Sequence, residues 1–188
     1  MVGLIEDLEH ITTSFFKDEG DLIYLLGEDK EEMGGSEYLK VVHNKVTGDA
    51  PKINLDEEKK LQDTLLGLIK SNLIKSAHDI SEGGIACALA ECCIINEENM
   101  IGAEVSVSIG SREDFALFSE SQSRIIVSVA NQDKNHFETE INKTGQVFRL
   151  IGKTGRSELI INDTLKVDLV KLADIYYNTI PSIMNDEA

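Results

Sequence analysis

The sequence lacks long apolar runs and is poor in positive charge, and each absence argues against a class of function. Lysine and arginine number 18 against 34 aspartates and glutamates, so the formal net charge is −16. Nucleic acids and anionic membrane surfaces favour basic proteins, so we expect neither as a partner. No stretch approaches the roughly 20 apolar residues that a bilayer-spanning helix needs, and the first residues do not read as a secretory signal. We therefore expect a cytoplasmic protein.

Cysteine is also scarce, and its placement argues against disulfides and zinc. Cys87, Cys92 and Cys93 all lie in one apolar segment. An odd number of cysteines with two adjacent does not suit a disulfide framework and is typical of a reducing compartment. The spacing does not match a zinc site either. We expect all three side chains to pack in the hydrophobic core.

The composition and the order of apolar segments predict one α/β domain. The chain has 188 residues, 41% of them apolar and 28% charged, enough for one globular unit with a substantial core. Amphipathic stretches predict helices over 36–43, 56–71, 83–95, 133–142 and 168–179. Short apolar or alternating stretches predict strands over 22–26, 73–77, 103–109, 125–129, 146–151 and 159–161. Ser111 is the predicted cap of a helical turn over 115–118. This interleaving predicts a mixed sheet with helices packed against it.

The most informative segment is residues 76–93. His78 and Asp79 open a short polar run that leads to the glycine pair Gly83-Gly84 and then to a helix of small residues. The pattern brings a strand end, a charged turn and a helix N-terminus to one point, which favours binding of an anion or a metal–phosphate group. The alternative is a polar turn that only caps a buried helix.

Two further stretches have the composition of ligand-binding loops. Gly34 and Gly35 precede Ser36 at the start of a predicted helix, which suits either a phosphate cradle or a tight turn with a serine cap. Residues 119–124 are six polar residues directly before a strand; they suit either a ribose phosphate or a solvated loop. The stretch 152–154 looks like the end of a P-loop, but position 147 is Val147 where that motif needs glycine.

Together these stretches resemble an enzyme family of purine biosynthesis. Residues 34–39 (GGSEYL), 77–84 (AHDISEGG) with 88–93 (ALAECC), and 117–124 (LFSESQSR) occur in the order and spacing of that family. They resemble the C-terminal part of the synthetase subunit of phosphoribosylformylglycinamidine synthase. Residues 2–9 and 151–153 fit as well, so the resemblance covers nearly the whole chain.

The resemblance implies a fold, a reaction and partners. The fold is α/β (α+β), a mixed β-sheet packed with helices as in the C-terminal domain of the aminoimidazole ribonucleotide synthetase-like superfamily. Residues 1–188 are then a single C-terminal domain, a fragment of a longer multidomain synthetase. The full enzyme uses ATP and Mg²⁺ to convert formylglycinamide ribonucleotide and glutamine-derived ammonia to the amidine. The implied partners are the remaining synthetase domains of the same chain, a glutaminase subunit and a small accessory subunit.

The resemblance also implies which residues form a site. By the family's internal pseudosymmetry, Asp79 takes the place of a magnesium-binding aspartate, and the run Glu120, Ser121 and Gln122 takes that of a substrate-contacting run. The further candidate nucleotide or substrate contacts are Gly34, Gly35, Ser36, His78, Gly83 and Gly84. The family's catalytic residues lie upstream and have no counterpart here, so we expect no catalytic residue in this chain and no activity from it alone. Two alternatives stay open: a non-catalytic structural or docking module, and an independent small-molecule- or nucleotide-binding α/β domain.

Overall fold

A mixed sheet with helices on both faces forms the body of the protein. The structure, a computed structural model, describes residues 4, 5, 7–108 and 110–186. Within these residues the elements are, in chain order, β1 (Leu22–Leu26), α1 (Glu37–His43), α2 (Leu55–Lys70), β2 (Ser76–Asp79), α3 (Gly84–Ile94), β3 (Ala103–Val105), α4 (Glu113–Phe118), β4 (Ile125–Val129), α5 (Lys134–Thr144), β5 (Phe148–Thr154), β6 (Glu158–Ile161), β7 (Leu165–Asp168) and α6 (Leu169–Asp186).

The strands form one sheet in the order β2-β4-β1-β5-β3-β6-β7. Strands β3 and β6 are parallel, and the other neighbouring pairs are antiparallel. The predicted mixed sheet with helices packed against it is therefore confirmed.

Strand β1 shows why both faces of the sheet are covered. Its side chains alternate between two cores, with Ile23 and Leu25 in one and Tyr24 and Leu26 in the other. The first core also contains the apolar faces of α3, α4 and the start of α6, and the second contains those of α2 and α5. A strand that is buried on both faces is apolar along its whole length, as residues 22–26 are.

The helices whose sequences have a clear apolar stripe were predicted correctly. In α2, Leu61 and Leu68 are buried and Leu65 is partly buried, as the 3.6-residue spacing predicts. In α5, Phe137 and Ile141 are fully buried. Helix α2 begins where Asn54 accepts hydrogen bonds from the backbone N–H groups of Asp56 and Glu57.

The predicted strand over 73–77 is wrong by several residues, because β2 runs from Ser76 to Asp79. The turn that follows α2 occupies the earlier positions. The N–H of Leu73 donates to the carbonyl of Leu68, and Asn72 has the left-handed conformation that ends a helix. Leu73 is buried in the second core as a side chain of this turn. His78 and Asp79 consequently belong to the strand and not to the turn after it.

The predicted strand over 103–109 is shorter in the structure. Ala103, Val105 and Val107 are buried as the alternation predicts, but the strand itself ends at Val105. The N–H of Val107 donates to Oδ1 of Asn162, so a side chain replaces the strand partner there. Ile109 lies outside the described residues, as do residues 1–3 and 6 of the opening motif.

Three smaller predictions also need correction. Helix α4 has Arg112 at its N-cap, and the hydroxyl of Ser111 donates to Glu31, so Ser111 does not cap this helix. Strand β5 begins at Phe148, two residues later than predicted, and extends to Thr154. Cys92 and Cys93 are buried in the first core as expected, but Cys87 is exposed because it lies on the outward side of the first turns of α3.

Candidate functional site

The three motif stretches come together at one end of the sheet. The backbone of Gly27, just after β1, lies so close to Ser123 that a Cβ there would be 2.1 Å from the Ser123 carbonyl oxygen. The hydroxyl of Ser121 donates to the carbonyl of Lys30 over 2.8 Å. Gly84 at the start of α3 packs on the backbone of 117–119. The loops after β1 and β2 and the loop before β4 therefore form one cluster with the starts of α1 and α3.

The carboxylate of Glu120 joins two helix starts. Its Oε1 accepts one hydrogen bond from the N–H of Gly83 over 2.8 Å and another from the N–H of Glu37 over 2.9 Å. Gly83 is the N-cap of α3 and has no side chain of its own to serve as a cap. Free N–H groups at a helix start attract a negative charge. In this protein the chain supplies that charge itself, from a residue 37 positions further along.

The glycine pair of α3 is required by the backbone. Gly83 and Gly84 both have positive φ, +77° and +67°, a conformation that side-chain-bearing residues adopt only with strain. A Cβ on Gly84 would also lie 2.7 Å from the carbonyl oxygens of Leu117 and Ser119. Glycine at position 84 thus allows the close approach of α3 to the loop that carries Glu120.

The other glycine motif has a similar structural role. Gly35 has a φ of +72°, and its N–H donates to the carbonyl of Thr47. A Cβ on Gly34 would lie 2.0 Å from the backbone oxygen of Asp49. Ser36 is buried and is the N-cap of α1, where its hydroxyl accepts a hydrogen bond from the N–H of Leu39.

The loop that presents Glu120 is held by a buried arginine that the sequence analysis did not single out. Arg124 is almost fully buried and donates to the carbonyls of Ser119 and Ser121 and to a carboxylate oxygen of Asp29. Burial lowers the pKa of Arg124, and Asp29 opposes that shift. The signal in the sequence was an arginine directly before an apolar strand. Gln122, in contrast, is exposed, and its amide donates to the Glu120 carbonyl over 3.3 Å.

His78 is paired with an acid of α3 at the same end. Its Nε2 lies 3.0 Å from Oε2 of Glu91, and its Nδ1 lies 2.7 Å from the carbonyl oxygen of Asp79. The hydrogen bond with Glu91 raises the pKa of His78. The Cys87 thiol lies against Gly83. Although the residue is exposed, partial shielding of the thiol from water raises its pKa, and the carboxylates of Glu91 and Glu120 raise it further. A thiol with a raised pKa is a poor nucleophile at neutral pH.

Asp79 lies where the sequence places it, at the end of a strand and just before the start of α3. Its side chain is 76% exposed, with one carboxylate oxygen 3.7 Å from Nδ1 of His78. Across the described part of the chain, no three histidine, cysteine, aspartate or glutamate side chains are grouped so that they could hold a metal ion. Asp79 could therefore hold Mg²⁺ only together with oxygens from a ligand and water.

The candidate residues fall into two groups, those with contacts inside the chain and those that face solvent. Gly34, Gly35, Ser36, Gly83, Gly84, Glu120 and Ser121 have the backbone and capping contacts described above. His78 contacts α3, and Asp79 and Gln122 face solvent. A small cavity of about 200 Å³ includes Gln122, Lys30 and Lys60 in its wall. A cavity of about 690 Å³ between β3, β5 and the turn at Asn162 contains none of the predicted site residues.

No helix in the described ranges combines the length and apolar character that crossing a membrane requires.

Comparison with known proteins gives a family match, similar sequences and similar solved structures. The family model described as AIR synthase related protein, C-terminal domain, matches residues 18–161. Phosphoribosylformylglycinamidine synthase subunit PurL of Alkaliphilus metalliredigens (strain QYMF) is 39% identical over 188 residues, which are 98% of this chain and 25% of that protein. The same subunit of Anaeromyxobacter sp. (strain Fw109-5) is 38% identical over 191 residues, with the same two shares. The chain thus spans about a quarter of the length of these relatives.

Solved structures of Thermotoga maritima proteins share the fold. Phosphoribosylformylglycinamidine synthase II aligns with a TM-score of 0.68 at 18% identity, over 88% of this chain and 28% of that one. PurL complexed with ATP aligns with a TM-score of 0.65 at 19% identity, with the same coverage. PurLQS aligns with a TM-score of 0.63 at 20% identity, again with the same coverage. At these identities the likeness shows the fold alone.

Proposed function

This chain belongs to the family described as AIR synthase related protein, C-terminal domain, and we propose that it is the C-terminal domain of a phosphoribosylformylglycinamidine synthase subunit. The observation that carries the proposal is the identity of 38–39% to PurL over 98% of the chain. The convergence of the three motif stretches on Glu120 supports it, because residues far apart in sequence meet in one place. Residues 1–188 are then one domain of a longer multidomain synthetase.

In that protein, the reaction is ATP-dependent formation of a carbon–nitrogen bond. ATP phosphorylates the glycinamide oxygen of formylglycinamide ribonucleotide and leaves as ADP, and glutamine-derived ammonia then displaces that oxygen as phosphate to give the amidine. The T. maritima PurL that was solved with ATP supports ATP as the nucleotide. The T. maritima PurLQS structure supports a multi-subunit assembly. We propose that the partners are the other synthetase domains, a glutaminase subunit and a small accessory subunit, in the cytoplasm.

The contribution of this chain is confined to binding and positioning. The N–H groups of Gly83 and Glu37 are engaged by Glu120, so the helix starts in this conformation already have their negative partner. Of the predicted site residues, Asp79 and Gln122 face solvent and remain free to contact a nucleotide or substrate. The Asp79 carboxylate would bind Mg²⁺ together with phosphate oxygens and water, because one carboxylate with water and phosphate ligands suffices for this ion. The cation would supply charge neutralisation next to a strongly acidic chain.

A chimeric synthetase tests the proposal. The matching quarter of the A. metalliredigens PurL is replaced by this chain, and the product is assayed for ATP hydrolysis that depends on formylglycinamide ribonucleotide and ammonia. We expect the chimera to be active and to restore growth without purines in a strain that lacks the subunit. This chain alone, and the relative without its last quarter, are expected to be inactive controls. A folded chimera with no substrate-dependent hydrolysis contradicts the proposal.

A further inference from the structure

Arg124 is a buried cation whose hydrogen bonds lie on both sides of Glu120. Its side chain is fully buried, and its guanidinium donates to the carbonyl of Ser119 over 2.6 Å and to that of Ser121 over 3.1 Å. These two residues come directly before and after Glu120. A buried charge is tolerated only where an opposite charge and hydrogen bonds compensate for its lost hydration. The position of the guanidinium therefore depends on its counter-ion.

Asp29 is that counter-ion, and a second arginine holds it. Across the described residues, Asp29 provides the only carboxylate that forms an ion pair with Arg124. Its Oδ1 lies 3.3 Å from Nη1 of Arg124, and its Oδ2 accepts a hydrogen bond from Nη2 of Arg149. Arg124 directly precedes β4 and Arg149 lies in β5, and these are the two strands that flank β1 in the sheet. Because Arg149 engages the second oxygen, the carboxylate keeps a fixed orientation toward Arg124.

The backbone of the loop that contains Asp29 holds the same run. The hydroxyl of Ser121 donates to the carbonyl of Lys30, and the N–H of Glu120 donates to the carbonyl of Glu32 over 3.3 Å. The loop after β1 thus contacts the run around Glu120 through a side chain and through two carbonyls. The Glu120 carboxylate in turn accepts from the N–H groups at the starts of α1 and α3. A chain of contacts therefore leads from Asp29 to both helix starts.

We propose that Asp29 is a positioning residue that acts through Arg124, places the Glu120 carboxylate at the starts of α1 and α3, and fixes the loop that presents Gln122 to solvent. Asp29 lies outside the three motif stretches. Its effect on a ligand rests on the proposed function, because that function supplies the ligand. The alternative is that Asp29 only neutralises Arg124. Its loss would then weaken the whole domain and not this end in particular.

Hydrogen exchange in the chimera described above separates the two roles. Asp29→Asn removes the charge and keeps the size of the side chain. We expect about tenfold faster exchange at the amides of Glu37 and Gly83, because their hydrogen bonds to Glu120 are weakened, and unchanged exchange in α5 and β6. Glu28→Gln, at the exposed acid next to Asp29, is the matched control and should change neither.

Two further measurements show whether Asp29 acts through the Glu120 run. With Glu120→Ala the two amides have already lost their acceptor, so adding Asp29→Asn should change their exchange by less than about twofold. A further tenfold increase would overturn the proposal. In substrate-dependent ATP hydrolysis, Asp29→Asn should raise the KM for formylglycinamide ribonucleotide several-fold and keep kcat, because this chain contributes binding and not catalysis. An unchanged KM, or a fall in kcat alone, overturns the ligand part of the proposal.

The outcomes separate this inference from the proposed function. A folded but inactive chimera in which Asp29→Asn speeds exchange only at Glu37 and Gly83 supports the positioning and contradicts the function. An active chimera with unchanged exchange at these amides, or with faster exchange throughout, overturns the positioning and leaves the function standing. If Asp29→Asn does not fold, Asp29→Glu keeps the charge and moves the carboxylate by one methylene. Several-fold faster exchange at the two amides then supports the positioning, and unchanged exchange overturns it. If the chimera itself does not fold, the same exchange comparison is made with this chain alone.

Discussion

The two ends of helix α3 are completed in different ways. At its N-terminal end, the N–H of Gly83 is bound by the Glu120 carboxylate, and the neighbouring loops pack backbone against backbone. At its C-terminal end, the polar contacts are also made, but the apolar stripe of α6 that passes over it continues uncovered at Ile180 and Met184. The motif end is thus closed by residues of the chain itself. At the opposite end apolar side chains stay exposed, which is typical of an interface.

The difference shows that a glycine-rich motif at a helix start is not by itself an open anion site. Three stretches that each suit a phosphate cradle come together here, but they form a closed arrangement around one carboxylate. Exposed polar residues at this end include Asp79, Ser81, Glu82 and Gln122. We therefore expect any ligand contact at this end to come from exposed residues at the edge of the cluster, because the two N–H groups at its centre are already bound by Glu120.

The largest expected effect comes from crowding the motif end at Gly84. Gly84→Ala places a Cβ 2.7 Å from two carbonyl oxygens and puts a side chain on a residue with a φ of +67°. Left-handed strain and overpacking together should lower the free energy of unfolding by about 3 kcal/mol. Urea denaturation measures this loss. Gly67→Ala is the matched control, because nothing lies within 4 Å of that Cβ in the last turn of α2, and it should raise stability by up to about 1 kcal/mol. Equal effects at both positions would show that α3 does not pack closely on the loop.

Removing the Glu120 carboxylate should have the next largest effect. Glu120→Ala leaves the N–H groups of Gly83 and Glu37 without their acceptor. We expect a loss of about 2 kcal/mol, because charge-assisted hydrogen bonds are lost but water can reach this half-buried site. Glu120→Gln keeps an oxygen acceptor and should lose about half as much. Gln122→Ala, in the same loop but exposed, should change stability by less than about 0.5 kcal/mol. A loss of the same size for Gln122→Ala would show that the Glu120 carboxylate does not stabilise this loop more than its exposed neighbour does.

The His78–Glu91 pair should make the stability of this end depend on pH. The pKa of His78 is raised above 6.5 in the folded protein, so the stability it contributes is complete below pH 6.5 and is lost as the pH rises through the folded pKa. Glu91→Gln should therefore cost roughly 0.5–1 kcal/mol at pH 6 and less at pH 9. Denaturation at the two pH values measures the difference. His136→Gln, which removes the exposed and longer contact between His136 and Glu140, is the control and should show little change. A cost for Glu91→Gln that grows with pH contradicts the pairing.

The smallest effect on stability is expected at Asp79. Its exposed carboxylate accepts no hydrogen bond from the start of α3, so Asp79→Asn should change the free energy of unfolding by less than about 0.5 kcal/mol. If Asp79 contacts Mg²⁺ in the complete synthetase, the same change should weaken binding of Mg-ADP to the chimera several-fold, as measured by titration calorimetry. Unchanged binding would show that Asp79 does not contact the ligand, and Gln122→Ala would then be the next variant to measure.

Much of the fold could be predicted because its signals are local. The stripes that bury Leu61 in α2 and Phe137 in α5 repeat every three to four residues, and the apolar run of β1 marks a strand covered on both faces. The ends of elements were less predictable because distant residues set them. Strand β3 stops where the side chain of Asn162, 55 positions after Val107, takes the place of a strand partner.

The special backbone positions of the candidate site could be predicted from the sequence, but their arrangement could not. The composition of residues 34–36, 83–84 and 120–122 indicated special backbone positions and polar loops. That a single oxygen of Glu120 accepts from both helix starts could not be read from the sequence, because the partners are 37 and 83 positions away. The exposed position of Cys87 was missed for a related reason, since an apolar helix with small residues gives no clear direction for its outward side.

Residue-level amide exchange of this chain alone tests the contrast between the two ends most directly. We expect slow exchange at Gly83 and Glu37, whose N–H groups are bound by Glu120, and fast exchange at the amides of 178–180 and 182–185 at the uncovered end of α6. Fast exchange at both Gly83 and Glu37, with protection of these α6 amides at the level of the sheet core, would contradict this expectation.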